Sequence, residues 1–214
     1  MNKNIADIRK DYQLQTLLET DVAADPFVQF GRWWDDALKS ELDEVNAMTL
    51  ATASLTGLPD ARIVLLKSVT DAGFVFFTNY SSQKGKELAE NPRACLVFFW
   101  KELERQVRIT GSVEKVSVQE SDEYFHSRPA GSRIGAWASP QSSVIESRET
   151  IEKNILLYEQ KFSSTEIERP PHWGGYIVMP TAIEFWQGRS SRLHDRLLYS
   201  KMQDRSWKIE RLAP

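Results

Sequence analysis

One cysteine, Cys95, occurs in the 214 residues. That excludes an intrachain disulfide and any zinc site built from several cysteines, and it suits a reducing compartment. Long hydrophobic runs are missing as well. The longest, Ala94 to Trp100, is far short of a bilayer, and the opening from Met1 to Lys10 lacks the apolar stretch of a secretory signal. The expectation is a cytoplasmic chain with no membrane partner. Charge of one sign is not in excess: 27 Lys and Arg against 30 Asp and Glu leave a net charge of −3. Nucleic acid demands a dense cationic surface, so it is not an expected partner. His126, His172 and His194 are the only histidines, far apart and without ligand spacing, so no metal is expected. No Gly-Xaa-Ser-Xaa-Gly elbow, Walker-type phosphate loop or Gly-Xaa-Gly-Xaa-Xaa-Gly is present.

What is there suits a folded chain with one substantial core: 41% hydrophobic and 27% charged residues, with 7 Trp and 10 Phe. Most of those rings are expected to fill the core, the rest to stack on a planar ligand or pack against a second subunit. The small net charge conceals a gradient. Residues 1–60 are strongly acidic, whereas 61–140 and 181–214 are mildly basic. A few placed arginines and lysines of this kind suit a small anion.

The Asp25-Pro26 pair supplies an N-cap and a first-turn proline ahead of Phe27, Phe30, Trp33, Trp34 and Leu38, an apolar stripe at helical spacing. From Ala47 the period changes. Strands are predicted over 47–54, 61–67, 73–79, 94–100 and 105–116, joined by tight turns and therefore antiparallel. A short helix is predicted over 81–90, and Ser117 with Glu120 fits a capping box opening another through about Ser127. Helices are also predicted over 129–139 and 147–162, the latter burying Ile151, Ile155, Leu156 and the stretch from Tyr158 to Phe162. Strands over 175–179, 182–187, 196–200 and 207–212 close the chain. The pattern is mainly β with surrounding helices, a small antiparallel barrel, without repeats or an interdomain linker.

Several segments could carry chemistry. In Arg62-Ile63-Val64-Leu65-Leu66-Lys67, the cationic ends five apart face opposite sides of a regular strand; they are either solvated ends or anion ligands. The run Phe77-Thr78-Asn79-Tyr80-Ser81-Ser82-Gln83-Lys84 leads a strand through a hydroxyl-rich turn into a helix start, where free N–H groups and Lys84 suit a phosphate, although plain capping by Ser81 or Ser82 serves equally. Alternation puts Gln106, Arg108 and Thr110 on one face and Val107 and Ile109 on the other. Tyr124, Arg128 and Ser132 offer three donors at a helix end, fit for a phosphate monoester or for solvent. The densest segment runs from Glu184 to Arg196: Arg189, Arg192, Arg196 and His194 crowd beside a strand that ends near Trp186. Residues alone lead to an anion-binding small barrel.

These segments, with Gly85-Lys86-Glu87-Leu88, Asn91-Pro92, Glu104-Arg105-Gln106-Val107, Ile134-Gly135-Ala136, Gln141-Ser142-Ser143, Trp173-Gly174-Gly175, Arg192-Leu193-His194-Asp195-Arg196 and the terminal Glu210-Arg211-Leu212-Ala213-Pro214, resemble the pyridoxine (pyridoxamine) 5′-phosphate oxidase family in order from about residue 25 onward. The resemblance implies an FMN-binding split β-barrel over 25–214, which includes a C-terminal dimerisation and active-site region, preceded by a partly mobile segment, 1–24. It implies a homodimer with FMN at the subunit interface, each site drawing on both chains. Arg62, Ile63, Val64, Leu65, Leu66, Lys67, Phe77, Thr78, Gln83, Lys84, Gln106, Gln141, Ser142, Trp186 and Arg196 would contact FMN. Lys67, Tyr124, Arg128 and Ser132 would hold the substrate phosphate; Arg192, Leu193 and His194, with Arg9 and Tyr12, would complete the substrate site, and Arg192 and His194 would act in catalysis. The implied reaction oxidises pyridoxine or pyridoxamine 5′-phosphate to pyridoxal 5′-phosphate, with dioxygen as acceptor and hydrogen peroxide as product.

Two departures stand out. Gln83 occupies a position where the family usually has arginine, which predicts looser FMN binding. After Arg9-Lys10-Asp11-Tyr12, the glycine, leucine and basic residues of the family's opening give way to Gln13-Leu14-Gln15-Thr16-Leu17-Leu18-Glu19.

Overall fold

The computed structural model describes residues 4–7 and 10–214. Five α-helices and nine strands follow in the order α1 (Pro26–Lys39), β1 (Ala47–Ala53), β2 (Pro59–Leu65), β3 (Ser68–Val69), β4 (Phe74–Asn79), α2 (Gln83–Glu90), β5 (Arg93–Trp100), β6 (Arg105–Lys115), α3 (Val118–Ser127), α4 (Ala130–Ala138), α5 (Arg148–Lys161), β7 (Trp173–Gln187), β8 (Asp195–Lys201) and β9 (Trp207–Arg211). The strands form one sheet in the order β2-β1-β5-β6-β7-β4-β3, with β8 on β7 and β9 on β8. The chain divides into two compact units, one made of residues up to Leu50 with Cys95–Gly111 and Pro180–Pro214, the other of Ala51–Ala94 and Ser112–Met179.

In the first unit α1 begins as its sequence demands: the Asp25 carboxylate accepts from the N–H of Phe27 at 2.7 Å and of Val28 at 3.3 Å, and Pro26 gives up no needed donor. Phe30, Trp33 and Ala37 are buried, but Leu38 is exposed, so the stripe closes on Ala37 instead. Phe30 meets Phe98 at 5.4 Å, Trp33 meets Phe185 edge-on at 5.2 Å, and Phe185 meets Tyr199 at 5.4 Å. These rings form an aromatic core with Met48, Leu50, Leu96 and Ile109, all fully buried. In β6 the alternation is as expected: Val107 and Ile109 are inside, Arg108 and Thr110 exposed, and Gln106 half-buried beside them. β8 pairs antiparallel with β7, from Ala182 opposite Ser200 to Gln187 opposite Asp195, and with β9 on its other edge.

In the second unit β4 pairs antiparallel with the first half of β7, Phe74 opposite Val178 and Asn79 opposite Trp173. The two strands predicted over 175–179 and 182–187 are one, with Pro180 in the gap between the residues that pair with β4 and those that pair with β8. β2 runs from Pro59 to Leu65 and not through Lys67, so strand alternation does not govern Lys67; its N–H instead bonds the Val75 carbonyl at 2.9 Å. α5 also departs from expectation. It has no fully buried residue, and Leu156 and Leu157 are exposed. It packs on α4, where Tyr158 and Phe162 meet Trp137 and Asn154 donates to the Ala138 carbonyl.

Candidate functional site

A cavity of about 650 Å³ opens in the second unit. It gathers Ile63, Val64 and Leu65 of β2, Lys67, Phe77, Thr78, Lys84, Tyr124, Arg128, Ser132 and Gln141, eleven residues predicted from sequence for the site. Three near-parallel rings form part of its wall. Phe77 stacks on Tyr124 with centroids 4.0 Å apart, and Trp173 lies 5.6 Å from Phe77. The flat packing depends on Gly175, where a Cβ would sit 2.7 Å from the Phe77 ring.

The polar groups fall into two sets. Lys84 is buried, with its ammonium 3.4 Å from the Ser82 hydroxyl and 3.5 Å from the Gln141 carbonyl, which also accepts from Thr78 at 3.4 Å. Burial, and then the nearby Arg62 charge, push the Lys84 pKa down. Ser82 caps α2, accepting from the Gly85 N–H and donating to the Asn79 carbonyl at 2.6 Å, so the serine is doing the capping that the sequence left open. The second set is Lys67, Tyr124, Arg128 and Ser132. The Lys67 ammonium is 6.0 Å from the Tyr124 ring, and the Arg128 guanidinium stacks 4.6 Å over Trp173. Arg128 Nη1 is buried with no hydrogen-bond partner, and burial lowers the Arg128 pKa. A buried guanidinium N–H without an acceptor is costly, and an anionic oxygen is what satisfies it.

Not every predicted residue reaches this cavity. Arg62 is tied to Asp60, Thr52 and the buried Glu87. Leu66 is buried in the core. Gln83 donates its amide to Glu87 at 2.7 Å along its own helix, and Ser142 is exposed with φ of 69°. In the sequence Trp173 stands out only as part of Trp173-Gly174-Gly175; its ring beneath Arg128 is a finding of the structure.

The first unit holds the other set. Trp186 and His194 rings are 4.6 Å apart, and Tyr12 closes on both, at 5.8 Å from Trp186 and 6.0 Å from His194. Tyr12, Arg189, Arg192 and His194, with Lys10 and Asp11, line a cavity of about 440 Å³. The Arg189 N–H donates to His194 Nδ1 at 3.1 Å, which places the proton of the neutral ring on Nε2. Burial and the Arg192 charge hold the His194 pKa below its ordinary value. Ser191 and Arg192 both take left-handed backbone, φ 56° and 61°, and Leu193 is exposed. Arg196 donates to Glu184 at 2.8 Å and to the Ala213 carbonyl at 2.9 Å, and Arg108 holds the other Glu184 oxygen at 3.1 Å. Arg9 lies outside the described residues. Among the described residues no cluster of His, Cys, Asp and Glu could hold a metal ion, and no helix is long and apolar enough to cross a membrane.

Comparison with known proteins gives this geometry its context. Residues 34–162 match the family model described as pyridoxamine 5′-phosphate oxidase, and residues 173–214 the one described as the pyridoxine 5′-phosphate oxidase C-terminal dimerisation region. The pyridoxine/pyridoxamine 5′-phosphate oxidase of Nostoc punctiforme is 61% identical over 214 residues, all of both chains, and that of Ralstonia pickettii 61% over 211 residues, 99% of each. Among solved structures, PhzG from Burkholderia lata, in complex with tetrahydrophenazine-1-carboxylic acid, superposes with a TM-score of 0.87 at 30% identity, covering 94% of this chain and 99% of its own. A pyridoxamine 5′-phosphate oxidase-related, FMN-binding protein of Nostoc punctiforme shares the fold at 17% identity and TM-score 0.70, over 90% of this chain and 100% of that one. The class is thus the split β-barrel flavoprotein, mainly β with surrounding helices, an oxidoreductase fold whose cofactor is FMN. Within it, the chain belongs to the pyridoxamine 5′-phosphate oxidase family.

Proposed function

We propose that this chain, as a cytoplasmic homodimer with FMN at the subunit interface, oxidises pyridoxine or pyridoxamine 5′-phosphate to pyridoxal 5′-phosphate, with dioxygen as acceptor. The observation that carries the proposal is the unpartnered, buried Arg128 Nη1 in a cavity that also presents Lys67, Tyr124 and Ser132. A phosphate monoester supplies the oxygens those donors lack. The residues present also fit FMN: Lys84, Thr78 and Gln141 offer a buried ammonium, a hydroxyl and an amide to its polar chain, beside the apolar Ile63 to Leu65 edge. When bound, FMN would supply the two-electron redox chemistry the oxidation needs, with dioxygen as final acceptor and hydrogen peroxide as product.

The chain's own residues bind, orient and hold charge. Arg128, Lys67, Tyr124 and Ser132 anchor the substrate by its phosphate, remote from the carbon that reacts, so that binding energy is spent on orientation. His194, neutral at pH 7 with its proton on Nε2, offers a donor to the substrate ring, and Arg192 offers a cation near it. Arg196, already charge-paired with Glu184, and Trp186 would help hold the flavin, and a cation there would stabilise negative charge on the reduced ring. Gln106 offers a further amide. Two chains complete each site; the match of residues 173–214 to a dimerisation region supports this, as do the exposed Ile63 and Leu193.

Purified protein carrying FMN, given pyridoxamine 5′-phosphate in air, is expected to form aldehyde and peroxide together. Absence of both would overturn the reading. The likeness to PhzG supports a second one, a flavin oxidase acting on a reduced phenazine carboxylate, whose anion would meet the same arginine. Turnover of that compound without turnover of pyridoxamine 5′-phosphate would decide for it.

A further inference from the structure

The segment Glu104-Arg105 belongs to a motif of the sequence for which the reaction above has no use, yet Glu104 is buried to 2% exposure and adopts left-handed backbone, φ 53° and ψ 38°. Glycine takes that conformation most readily, but glycine has no carboxylate. The Glu104 carboxylate is spent on the N-terminal segment: Oε2 accepts the N–H of Gln13 at 2.9 Å and of Leu14 at 3.1 Å, and Oε1 is 3.5 Å from the Lys10 ammonium. Its main-chain carbonyl grips the loop that carries Arg192 and His194, accepting the Gly188 N–H at 2.7 Å and the Gln187 amide at 3.2 Å. One residue therefore holds two pieces of chain, and those pieces touch. Tyr12 lies so close to Gly188 that a Cβ there would come within 2.8 Å of it, and the Asp11 carboxylate accepts the Ser191 N–H at 3.3 Å. Arg105 adds a neighbouring anchor, bonding Gln15, Gln187 and Asp36.

We propose that Glu104 is a positioning residue: it pins residues 10–14 on the 188–194 loop and so holds Tyr12 against Trp186 and His194. A carboxylate suits the task because two adjacent amide donors, unpaired by any strand, converge on one oxygen, and a negative charge makes both bonds strong. The functional part of this assignment rests on the oxidase reading given above; the anchoring itself does not.

The test compares Glu104→Gln with the parent enzyme, both loaded with FMN. Hydrogen exchange at the Gln13 and Leu14 amides is expected to accelerate about tenfold or more as the charged carboxylate acceptor becomes a neutral amide. KM for pyridoxamine 5′-phosphate is expected to rise about tenfold, with kcat and FMN occupancy within about twofold of the parent. In a Tyr12→Ala background the same change is expected to add less than about twofold, because Glu104 acts through Tyr12. Leu14→Pro deletes one donor from an exposed residue, leaves the buried carboxylate in place, and carries the same KM expectation should Glu104→Gln fold poorly. Unchanged exchange, an unchanged KM, equal costs with and without Tyr12, or loss of FMN in step with KM would overturn the proposal. Should the parent enzyme itself show no turnover, the oxidase reading fails, and the exchange rates alone decide the anchoring.

Discussion

Replacing Arg128 by methionine separates what this arginine costs the free protein from what it gives a bound anion. The guanidinium has one buried nitrogen without a partner and lies 4.6 Å over Trp173. Removing an unpaired buried donor relieves roughly 1–3 kcal/mol, while losing the cation–π contact costs roughly 0.5–2 kcal/mol. These nearly cancel, and methionine keeps most of the volume. Free of FMN and substrate, the variant is therefore expected to unfold within about 2 kcal/mol of the parent in urea, in either direction. The bound anion has no such compensation. One charge-assisted hydrogen bond is worth roughly 1.5–3 kcal/mol, so the Kd for pyridoxal 5′-phosphate, measured by calorimetry on the FMN-loaded protein, should rise roughly 10- to 150-fold. A rise below about threefold would refute the argument that the unpaired nitrogen awaits an anion. So would a loss of more than about 3 kcal/mol in the ligand-free protein, since that would make Arg128 a structural residue.

Three further perturbations follow from the geometry. The His194 pKa is held below 6.5 by burial and Arg192, so unfolding lets it take up a proton; its stabilising effect is complete above pH 6.5 and drains away as the pH falls toward the folded value. His194→Gln should flatten that stretch of the stability curve measured by denaturation, and an identical curve would contradict the assignment. Gln83→Arg should tighten FMN, but only by roughly two- to fivefold, because the new side chain must forgo Glu87, which Gln83 now holds at 2.7 Å; a fluorescence titration with no tightening would remove Gln83 from the cofactor site. Phe30→Ala, which empties a fully buried position among Phe98, Trp34 and Trp100, should cost roughly 3–5 kcal/mol in urea unfolding.

How far the residues alone carried this picture depends on where the deciding force is local. Asp25-Pro26, Ser117 and the alternation from Arg105 to Thr110 are governed by neighbours in the chain, and each is found where local rules put it. The continuity of β7 through Pro180 depends on where its pairing with β4 stops and its pairing with β8 starts, which is a property of pairing and not of sequence. Leu156 on α5 has, with Ile151 and Ile155, the helical spacing of a buried face, yet it is exposed. For the site, residue type and spacing singled out Lys84 and the Tyr124, Arg128 and Ser132 set as anion donors, and only the family resemblance joined Lys67 to that set; one cavity holds all five. They could not show that Arg62 and Gln83 are already claimed by Glu87, because that competition is settled only by side-chain placement. Nor could they single out Glu104, whose left-handed backbone is invisible in a glutamate until the fold is seen.

The two left-handed residues Ser191 and Arg192 set a trap for anyone seeking a more robust version of this protein. Each such residue stores of order 1–3 kcal/mol, so Ser191→Gly looks like a free gain in heat tolerance. The same strain aims Arg192, and a glycine there would let the loop relax into the many shapes that the present backbone forbids. A variant selected for survival at high temperature would then tend to lose turnover first, and a screen on melting alone would never see it.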